Sequence, residues 1–216
     1  MRYEDRPVRG GGGDPRARIK SHVVVAHAPR GTVTMPETHR MMAKAVLVGD
    51  KAVGKTSLIR RYVLDQFDDR YLLTLGAKVT KKVEEVEIPE RSLKASLELN
   101  VWDIMGQAGF RELAKEAYFH GARGILAVVD LTRKSSLDGI GDWIKAVQDV
   151  TGPVPLVLLA NKHDLASQAT LTAAQVADAA RGFGSTSFLT SAKTGENVEA
   201  AFRRLADQVV RRYLLP

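Results

Sequence analysis

The chain has 216 residues, of which 44% are hydrophobic and 26% charged, and this composition is typical of a globular protein with one domain. It contains no cysteine, so disulfide frameworks, zinc–thiolate sites, iron–sulfur clusters and S-linked lipids are excluded. The net charge of +7 includes +4 in residues 1–40, and because no run of like charge reaches five we expect no nucleic-acid partner. The longest apolar runs are far shorter than the roughly 20 residues of a membrane span, so we expect no such span. Because the chain has no cysteine for a lipid, we expect a cytoplasmic monomer without a lipid anchor.

Residues 1–40 differ in composition from the rest of the chain. They contain the glycine run Gly10–Gly13 and four prolines, with few apolar residues. This composition predicts a disordered extension over 1–40 and a folded domain over 41–216. Two interpretations stay open: a real tail, or an upstream misassignment of the start codon, since Met41 and Met42 stand directly before the first clear strand.

From Ala43 onward, predicted strands and helices alternate. A short apolar run predicts a strand at Ala43–Val48, and a helix follows at Ser57–Val63. Alternation of apolar and polar residues then predicts a hairpin of two strands, Ala77–Ile88 and Leu93–Val101. The alternation of the first strand slips near Glu84–Glu85, which predicts a β-bulge there.

The second half of the chain predicts parallel strands between helices. Continuous apolar runs at 124–129, 154–160 and 187–189 are typical of strands covered on both faces. Helices are predicted at 136–150, 173–181 and 198–213, and capping boxes at Ser135–Asp138 and Thr172–Gln175 start the first two. The pattern as a whole predicts an α/β fold with a mostly parallel sheet and one antiparallel edge hairpin.

Residues 49–56 indicate a phosphate-binding loop. Their sequence, GDKAVGKT, fits the pattern G-x-x-x-x-G-K-[ST] between a predicted strand and a predicted helix. Lys55 adds a cation for the β- and γ-phosphates, and the Thr56 hydroxyl can ligate Mg²⁺. Backbone N–H groups of the loop are expected to face the phosphate oxygens, and its remaining residues are Asp50, Lys51, Ala52, Val53 and Gly54.

The motif Asn161-Lys162-His163-Asp164 indicates guanine recognition. It follows a predicted buried strand, at the carboxyl edge where α/β sheets bind ligands. The Asp164 carboxylate offers two acceptors for the N1–H and N2 amine of guanine, whereas adenine presents an acceptor at N1. A P-loop ATPase or kinase is therefore the less favoured interpretation.

A third motif lies at 103–107, where the alternating strand ends. Asp103 is placed to hold Mg²⁺ through water, and Gly106 allows the chain to approach a γ-phosphate. Gln107 can accept from and donate to a water, so it can orient the nucleophile.

Five segments together resemble, in order and spacing, the motifs of Ras-superfamily small GTPases, and the Rab branch is the most similar. They are Gly49–Ser57, Thr74, Trp102–Gln107, Asn161–Asp164 and Thr190–Thr194. Tyr71–Gly76 resembles the switch I of that branch, and Tyr118–Ala122 the end of its switch II. The resemblance covers residues 43 to about 213.

The resemblance implies a P-loop NTPase fold with a six-stranded, mostly parallel sheet, one antiparallel edge strand and helices on both faces. It also implies a slow GTP/GDP cycle with Mg²⁺, in which Gln107 and Lys55 are catalytic. Effectors, exchange factors and activating proteins would be partners, with effectors bound through switch I (about 67–79) and switch II (about 103–120). By match, Thr56 and Thr74 would bind Mg²⁺ directly and Asp103 through water. The other nucleotide contacts implied are those of Ser57, Phe67, Gly106, Asn161, Lys162, Asp164, Ser191, Ala192 and Lys193.

The chain departs from the Rab pattern at several positions. Lys51 and Ala52 stand where Rab proteins commonly have a small residue and glycine, and Val79 replaces an aromatic residue. These departures and the missing C-terminal cysteine favour a prokaryotic, archaeal-like type. We expect Lys51 to obstruct an arginine finger supplied by a partner; the alternatives are that it brings positive charge to the γ-phosphate or that it points into water without a role. A GTP-binding scaffold that hardly hydrolyses GTP is the alternative function.

Overall fold

The computed structural model describes residues 37–68, 74, 76–107 and 109–215. Its strands are β1 (Glu37–Val48), β2 (Ala77–Ile88), β3 (Leu93–Ile104), β4 (Ala122–Asp130), β5 (Leu156–Asn161) and β6 (Thr186–Leu189). Its α-helices are α1 (Lys55–Leu64), α2 (Phe110–Ala114), α3 (Lys134–Asp138), α4 (Ile140–Thr151), α5 (Ala173–Gly182) and α6 (Val198–Leu214). Short 3₁₀ turns occur at Pro89–Arg91 and His163–Gln168, and a π-helical turn at Lys115–Phe119.

The six strands form one sheet in the order β2-β3-β1-β4-β5-β6. Only the β2–β3 pair is antiparallel among these strands, and the other four pairings are parallel. Parallel strands bring their carboxyl ends to one edge, so the residues after β1, β3, β4, β5 and β6 meet there. The predicted fold class is confirmed.

Strand β1 begins earlier than the sequence predicts. It starts at Glu37 and pairs with β3 from the Glu37–Leu93 pair onward. Residues 37–40, which the prediction assigns to the extension, therefore belong to the sheet. The prediction missed them because Thr38 and Arg40 are exposed and polar, and the β1–β4 pairing begins only at Lys44.

The predicted bulge at Glu84–Glu85 is wrong, because β2 pairs with β3 without a register shift from Ala77 to Ile88. The apolar alternation slips because Glu84 itself points inward and is 4% exposed. The Tyr62 hydroxyl donates a 2.6 Å hydrogen bond to Glu84, and the Arg203 guanidinium lies 3.3 Å from the second carboxylate oxygen. A buried carboxylate thus takes an inward position that the sequence pattern reserves for apolar residues.

The helix predicted over 136–150 is two helices, α3 and α4, which meet at Gly139. The capping box predicted at Ser135–Asp138 is wrong, because α3 begins at Lys134 and has no side-chain cap. The Thr172–Gln175 box is confirmed, with reciprocal hydrogen bonds between side chain and backbone at the start of α5.

Helices cover both faces of the sheet and create two hydrophobic cores. Helices α1 and α6 pack on one face, where Tyr62 and Phe202 stack with ring centroids 4.0 Å apart. Helices α4 and α5 pack on the other face around Trp143 and Phe119. Among the described residues, no helix combines the length and apolar character that a membrane crossing requires.

Some predictions fall on residues outside this description. They concern residues 1–36 of the extension, residues 69–73 and 75 of switch I, Ala108 of switch II, and Pro216 at the end of the predicted domain.

Candidate nucleotide site

A cleft of about 490 Å³ opens at the carboxyl edge of the sheet. Most of the predicted nucleotide contacts line it, from the P-loop and the start of α1, from switch I, and from the loops after β3, β5 and β6. They are Lys51, Ala52, Gly54, Lys55, Thr56, Ser57, Phe67, Thr74, Gly106, Asn161, Lys162, Asp164, Ala192 and Lys193. The fold thus brings together segments that are up to about 140 residues apart in the sequence.

The P-loop begins and ends with a glycine, Gly49 after β1 and Gly54 before α1. Any other residue at either position would force neighbouring atoms to move. Gly49 has a φ of 135°, and a Cβ there would lie 2.2 Å from the Val128 carbonyl oxygen. Gly54 has a φ of 97°, and a Cβ there would lie 2.2 Å from the side-chain nitrogen of Asn161. The loop is therefore pressed against the ends of β4 and β5.

Lys55 lies in the centre of the loop and is 7% exposed. Its ammonium donates hydrogen bonds to the carbonyl oxygens of Gly49 (2.7 Å) and Asp50 (2.8 Å). Burial lowers the pKa of Lys55 to about 8, the carboxylates of Asp103 and Asp50 oppose this, and the charge of Arg133 adds to it. A phosphate would accept hydrogen bonds from this buried ammonium and balance its charge.

The three predicted metal-binding residues converge. The Thr56 hydroxyl lies 2.5 Å from an oxygen of Asp103 and 3.0 Å from the Thr74 hydroxyl, which itself lies 3.4 Å from Asp103. The other carboxylate oxygen of Asp103 is buried and has no hydrogen-bond partner among the residues that the structure describes. Burial raises the pKa of Asp103, in opposition to the hydrogen bond from Thr56 and the charge of Lys55. An orphaned carboxylate oxygen beside two hydroxyls fits Mg²⁺, which prefers hard oxygen ligands and keeps several waters.

Asn161 joins the P-loop to the loop after β6. Its side-chain N–H donates to the Val53 carbonyl (2.9 Å), and its side-chain oxygen accepts from the Ala192 N–H (3.1 Å). Asn161 is 2% exposed and Ala192 3%, so both hydrogen bonds are shielded from water. The role of Asn161 is to hold two walls of the cleft together.

Asp164 and Lys162 form the far end of the cleft, together with Phe67. The Ser191 hydroxyl donates a 2.6 Å hydrogen bond to one oxygen of Asp164, which fixes the orientation of the carboxylate. Lys162 has a φ of 71°, and its ammonium lies 2.6 Å from a carboxylate oxygen of Asp130 at the end of β4. Although burial opposes it, the hydrogen bonds from Lys162 and Thr132 lower the pKa of Asp130.

Five predicted site residues do not line the cleft itself: Asp103, described above, and Val53, Ser191, Asp50 and Gln107. Val53 is fully buried and contributes its carbonyl to Asn161, and Ser191 is buried behind Asp164. Asp50 and Gln107 line a second, more open depression.

Sequence reasoning missed three residues at this edge. They are Asp130, which holds Lys162; Arg61, which donates to the carbonyls of Ala192 and Lys193; and Arg133, which reaches the P-loop. In the sequence, Asp130 belongs to the segment Asp130-Leu131-Thr132, which also fits the Rab-like pattern, and the two arginines carried no signal.

A model of the Ras family matches residues 44–211 of the chain. The chain belongs to the Ras family. It is 36% identical over 177 residues to "Ras-related protein Rab-13" of Mesocricetus auratus, a match that covers 82% of this chain and 84% of that protein. It is 33% identical over 177 residues to "Ras-related protein Rab-8B" of Homo sapiens, with 82% of each chain covered.

These matches, together with the motifs in the cleft, identify a small GTPase of the Rab branch. It binds GTP, hydrolyses it to GDP and phosphate, and acts as a molecular switch that binds effectors through its switch regions. The predicted family, activity and switch function are confirmed. The prokaryotic, archaeal-like type stays a prediction.

Proposed function

We propose that this GTPase binds Mg²⁺ with GTP through Thr56, Thr74 and Asp103, and that Gln107 orients the attacking water. The convergence of those three residues carries the proposal. Thr74 belongs to the predicted switch I, and its hydroxyl lies 3.0 Å from that of Thr56 on α1. Bound Mg²⁺ supplies positive charge for the β- and γ-phosphate oxygens. Thr74 thus links switch I to the state of the nucleotide.

The catalytic residues have separate tasks. Lys55 already points into the phosphate end of the cleft, where it bonds to two backbone carbonyls and can turn to phosphate oxygens. Gly106 lets the backbone of switch II come close to Lys55 and the expected γ-phosphate, because a Cβ there would lie 2.4 Å from the Lys55 ammonium. Gln107 is the next residue and is exposed, so a water can reach it. The acceptor and donor of its amide suit it to orient that water.

Effector binding would use an apolar surface of the switches and the edge hairpin. Val79 is 43% exposed on β2, and Leu113 is 68% exposed on α2. Trp102, which is paired with Val79 in the sheet, and Phe110 pack against Tyr118, with ring centroids 6.2 and 5.8 Å from the Tyr118 ring. Exposed apolar side chains beside nucleotide-sensing segments suit a partner whose affinity depends on the nucleotide. The partners and a cytoplasmic location are part of the proposal.

One observation favours the alternative, a GTP-binding scaffold that hardly hydrolyses. Gln107 lines the second depression rather than the main cleft. Hydrolysis therefore requires the Gln107 side chain to turn toward the γ-phosphate when GTP is bound.

Single-turnover hydrolysis by protein preloaded with GTP tests the proposal. With Gln107→Ala we expect the rate to fall about tenfold or more, because the water loses its orienting group. Affinity for GTP should change less than about threefold, which corresponds to under 1 kcal/mol. The control is Gln168→Ala, an exposed glutamine in the turn after β5, which should hydrolyse at the wild-type rate. Equal rates for Gln107→Ala and wild type would refute the role of Gln107. A wild type that retains GTP without hydrolysing it would support the scaffold.

A further inference from the structure

Arg133 lies on a rigid turn that faces the P-loop. The turn joins β4 to α3, and the Arg133 N–H donates to the Asp130 carbonyl at 3.0 Å. The Ser136 hydroxyl donates to the Arg133 carbonyl at 2.6 Å, and the Thr132 hydroxyl donates to the Asp130 side chain at 2.7 Å. Local hydrogen bonds therefore fix the backbone at Arg133 independently of the contact that its side chain makes.

The guanidinium of Arg133 reaches the phosphate end of the site. One of its terminal nitrogens donates a 2.8 Å hydrogen bond to the backbone carbonyl of Lys51. Arg133 also lines the second depression, together with Asp50, Lys51, Gly106, Gln107 and Ser135. Because Lys51 and Gly106 also line the main cleft, that depression adjoins the place where a γ-phosphate would lie.

The binding capacity of Arg133 is largely unused. A guanidinium has five N–H donors, and the Nε donor of Arg133 is buried and has no hydrogen-bond partner. In the part of the chain that the structure describes, Arg133 forms no ion pair with a carboxylate. A buried donor without an acceptor is costly, and a phosphate oxygen that reached it would offset that cost.

We propose that Arg133 is an arginine that this GTPase supplies from its own chain to the γ-phosphate during hydrolysis. The proposal rests on the proposed function, since it assigns a further catalytic group to the same reaction. In that reaction the oxygen of a water bonds to the γ-phosphorus, and the bond from this phosphorus to the β–γ bridging oxygen breaks. The electron pair of that bond stays on GDP, and the protons of the water go to inorganic phosphate and to solvent.

Arg133 is suited to this step because negative charge spreads over the phosphoryl oxygens in the transition state. Its planar fork can donate two parallel hydrogen bonds, which the single ammonium of Lys51 cannot do. The contact with the Lys51 carbonyl holds the fork near the site before GTP arrives. The guanidinium is thus preorganised, and little entropy is lost when it engages the phosphate.

The test is single-turnover hydrolysis by the full-length chain, preloaded with GTP and Mg²⁺ and without any partner protein. GTPases with an arginine in their own chain turn over at about 10⁻² s⁻¹, against about 10⁻⁴ to 10⁻³ s⁻¹ for those without one. We expect the wild type near the higher value and Arg133→Ala about tenfold or more slower. Arg133→Lys keeps the charge but loses the fork, and should fall between the two. The matched control is Lys134→Ala, which removes the adjacent exposed cation and should leave the rate unchanged.

A second readout separates catalysis from support of the loop. GDP with fluoroaluminate mimics the transferring phosphoryl group, so wild type should bind it without a partner and Arg133→Ala should not. Affinity for GDP alone should stay within about threefold in both, since GDP has no γ-phosphate. If Arg133→Ala does not retain nucleotide, Arg133→Lys decides by the same two measurements.

The outcomes distinguish this proposal from the proposed function. A wild-type rate and wild-type fluoroaluminate binding in Arg133→Ala would overturn the role of Arg133 and leave the GTPase mechanism intact. If Arg133→Ala does not retain nucleotide, the same results in Arg133→Lys would overturn that role. A wild type that binds GTP but does not hydrolyse it would overturn both. A selective loss of both readouts supports Arg133 as the arginine supplied from within the chain.

Discussion

Removing the side chain of Asn161 should uncouple two walls of the nucleotide cleft. In Asn161→Ala the Val53 carbonyl and the Ala192 N–H each lose a hydrogen bond, of 2.9 and 3.1 Å. Both groups are buried, since Val53 is 0% and Ala192 3% exposed, and water cannot readily replace the lost partner. Each unpaired buried group costs about 1–3 kcal/mol, so we expect the free energy of unfolding to fall by about 3 kcal/mol.

Thermal denaturation of the nucleotide-free protein measures this loss. In a domain of this size, 1 kcal/mol corresponds to about 2–4 °C, so Tm should fall by about 6–12 °C. The matched variant is Asn161→Asp, which keeps the acceptor for Ala192 but turns a carboxylate oxygen toward the Val53 carbonyl. It should be at least as unstable as Asn161→Ala. A Tm for Asn161→Ala within about 2 °C of wild type would show that the two hydrogen bonds do not couple the loops.

Two further predictions concern base recognition and the start of the domain. Asp164→Asn should weaken GDP binding and admit xanthine nucleotides, because one carboxylate acceptor becomes a donor while the other oxygen stays bonded to Ser191. An unchanged preference for GTP over XTP in competition binding would contradict this. A chain that begins at Pro36 should keep its GDP affinity, and its Tm should stay within a few degrees of that of the full chain. A chain that begins at Ala43 loses the β1–β3 pairs from Glu37 to Met42 and should unfold at a lower temperature. Loss of GDP binding on deletion of residues 1–35 would show that they are part of the folded domain.

Local patterns in the sequence were sufficient to predict most of the sheet and of the cleft. The strands show apolar residues at every second position or in continuous runs. The P-loop and the Asn161–Asp164 motif are each an uninterrupted stretch of sequence. Each follows a strand whose carboxyl end lies at the shared edge. Such signals need no knowledge of distant contacts, so the cleft residues could be selected before the structure was known.

Two of the errors arose where a distant partner decides the structure. Glu84 is inward and buried because Tyr62 and Arg203 bind it, and neither is near it in sequence. The helix-cap error has a local cause instead, because the Ser136 hydroxyl bonds to Arg133 and to Asp130 at the end of β4, and α3 begins at Lys134. Arg133 itself lies 82 residues from the P-loop carbonyl to which it donates. Only the fold brings β4 beside the P-loop and gives such residues a role.

Product analysis of a mixed nucleotide reaction tests the central claim most directly. The wild-type chain is incubated with equal amounts of GTP and ATP and excess Mg²⁺, and the nucleotides are separated over time. The Asp164 carboxylate and the proposed Mg²⁺ site predict that GDP and phosphate form while ATP stays intact, and that chelation of Mg²⁺ with EDTA stops the reaction. Formation of ADP at a rate comparable to that of GDP, or hydrolysis that continues in EDTA, would contradict a Mg²⁺-dependent GTPase with this site.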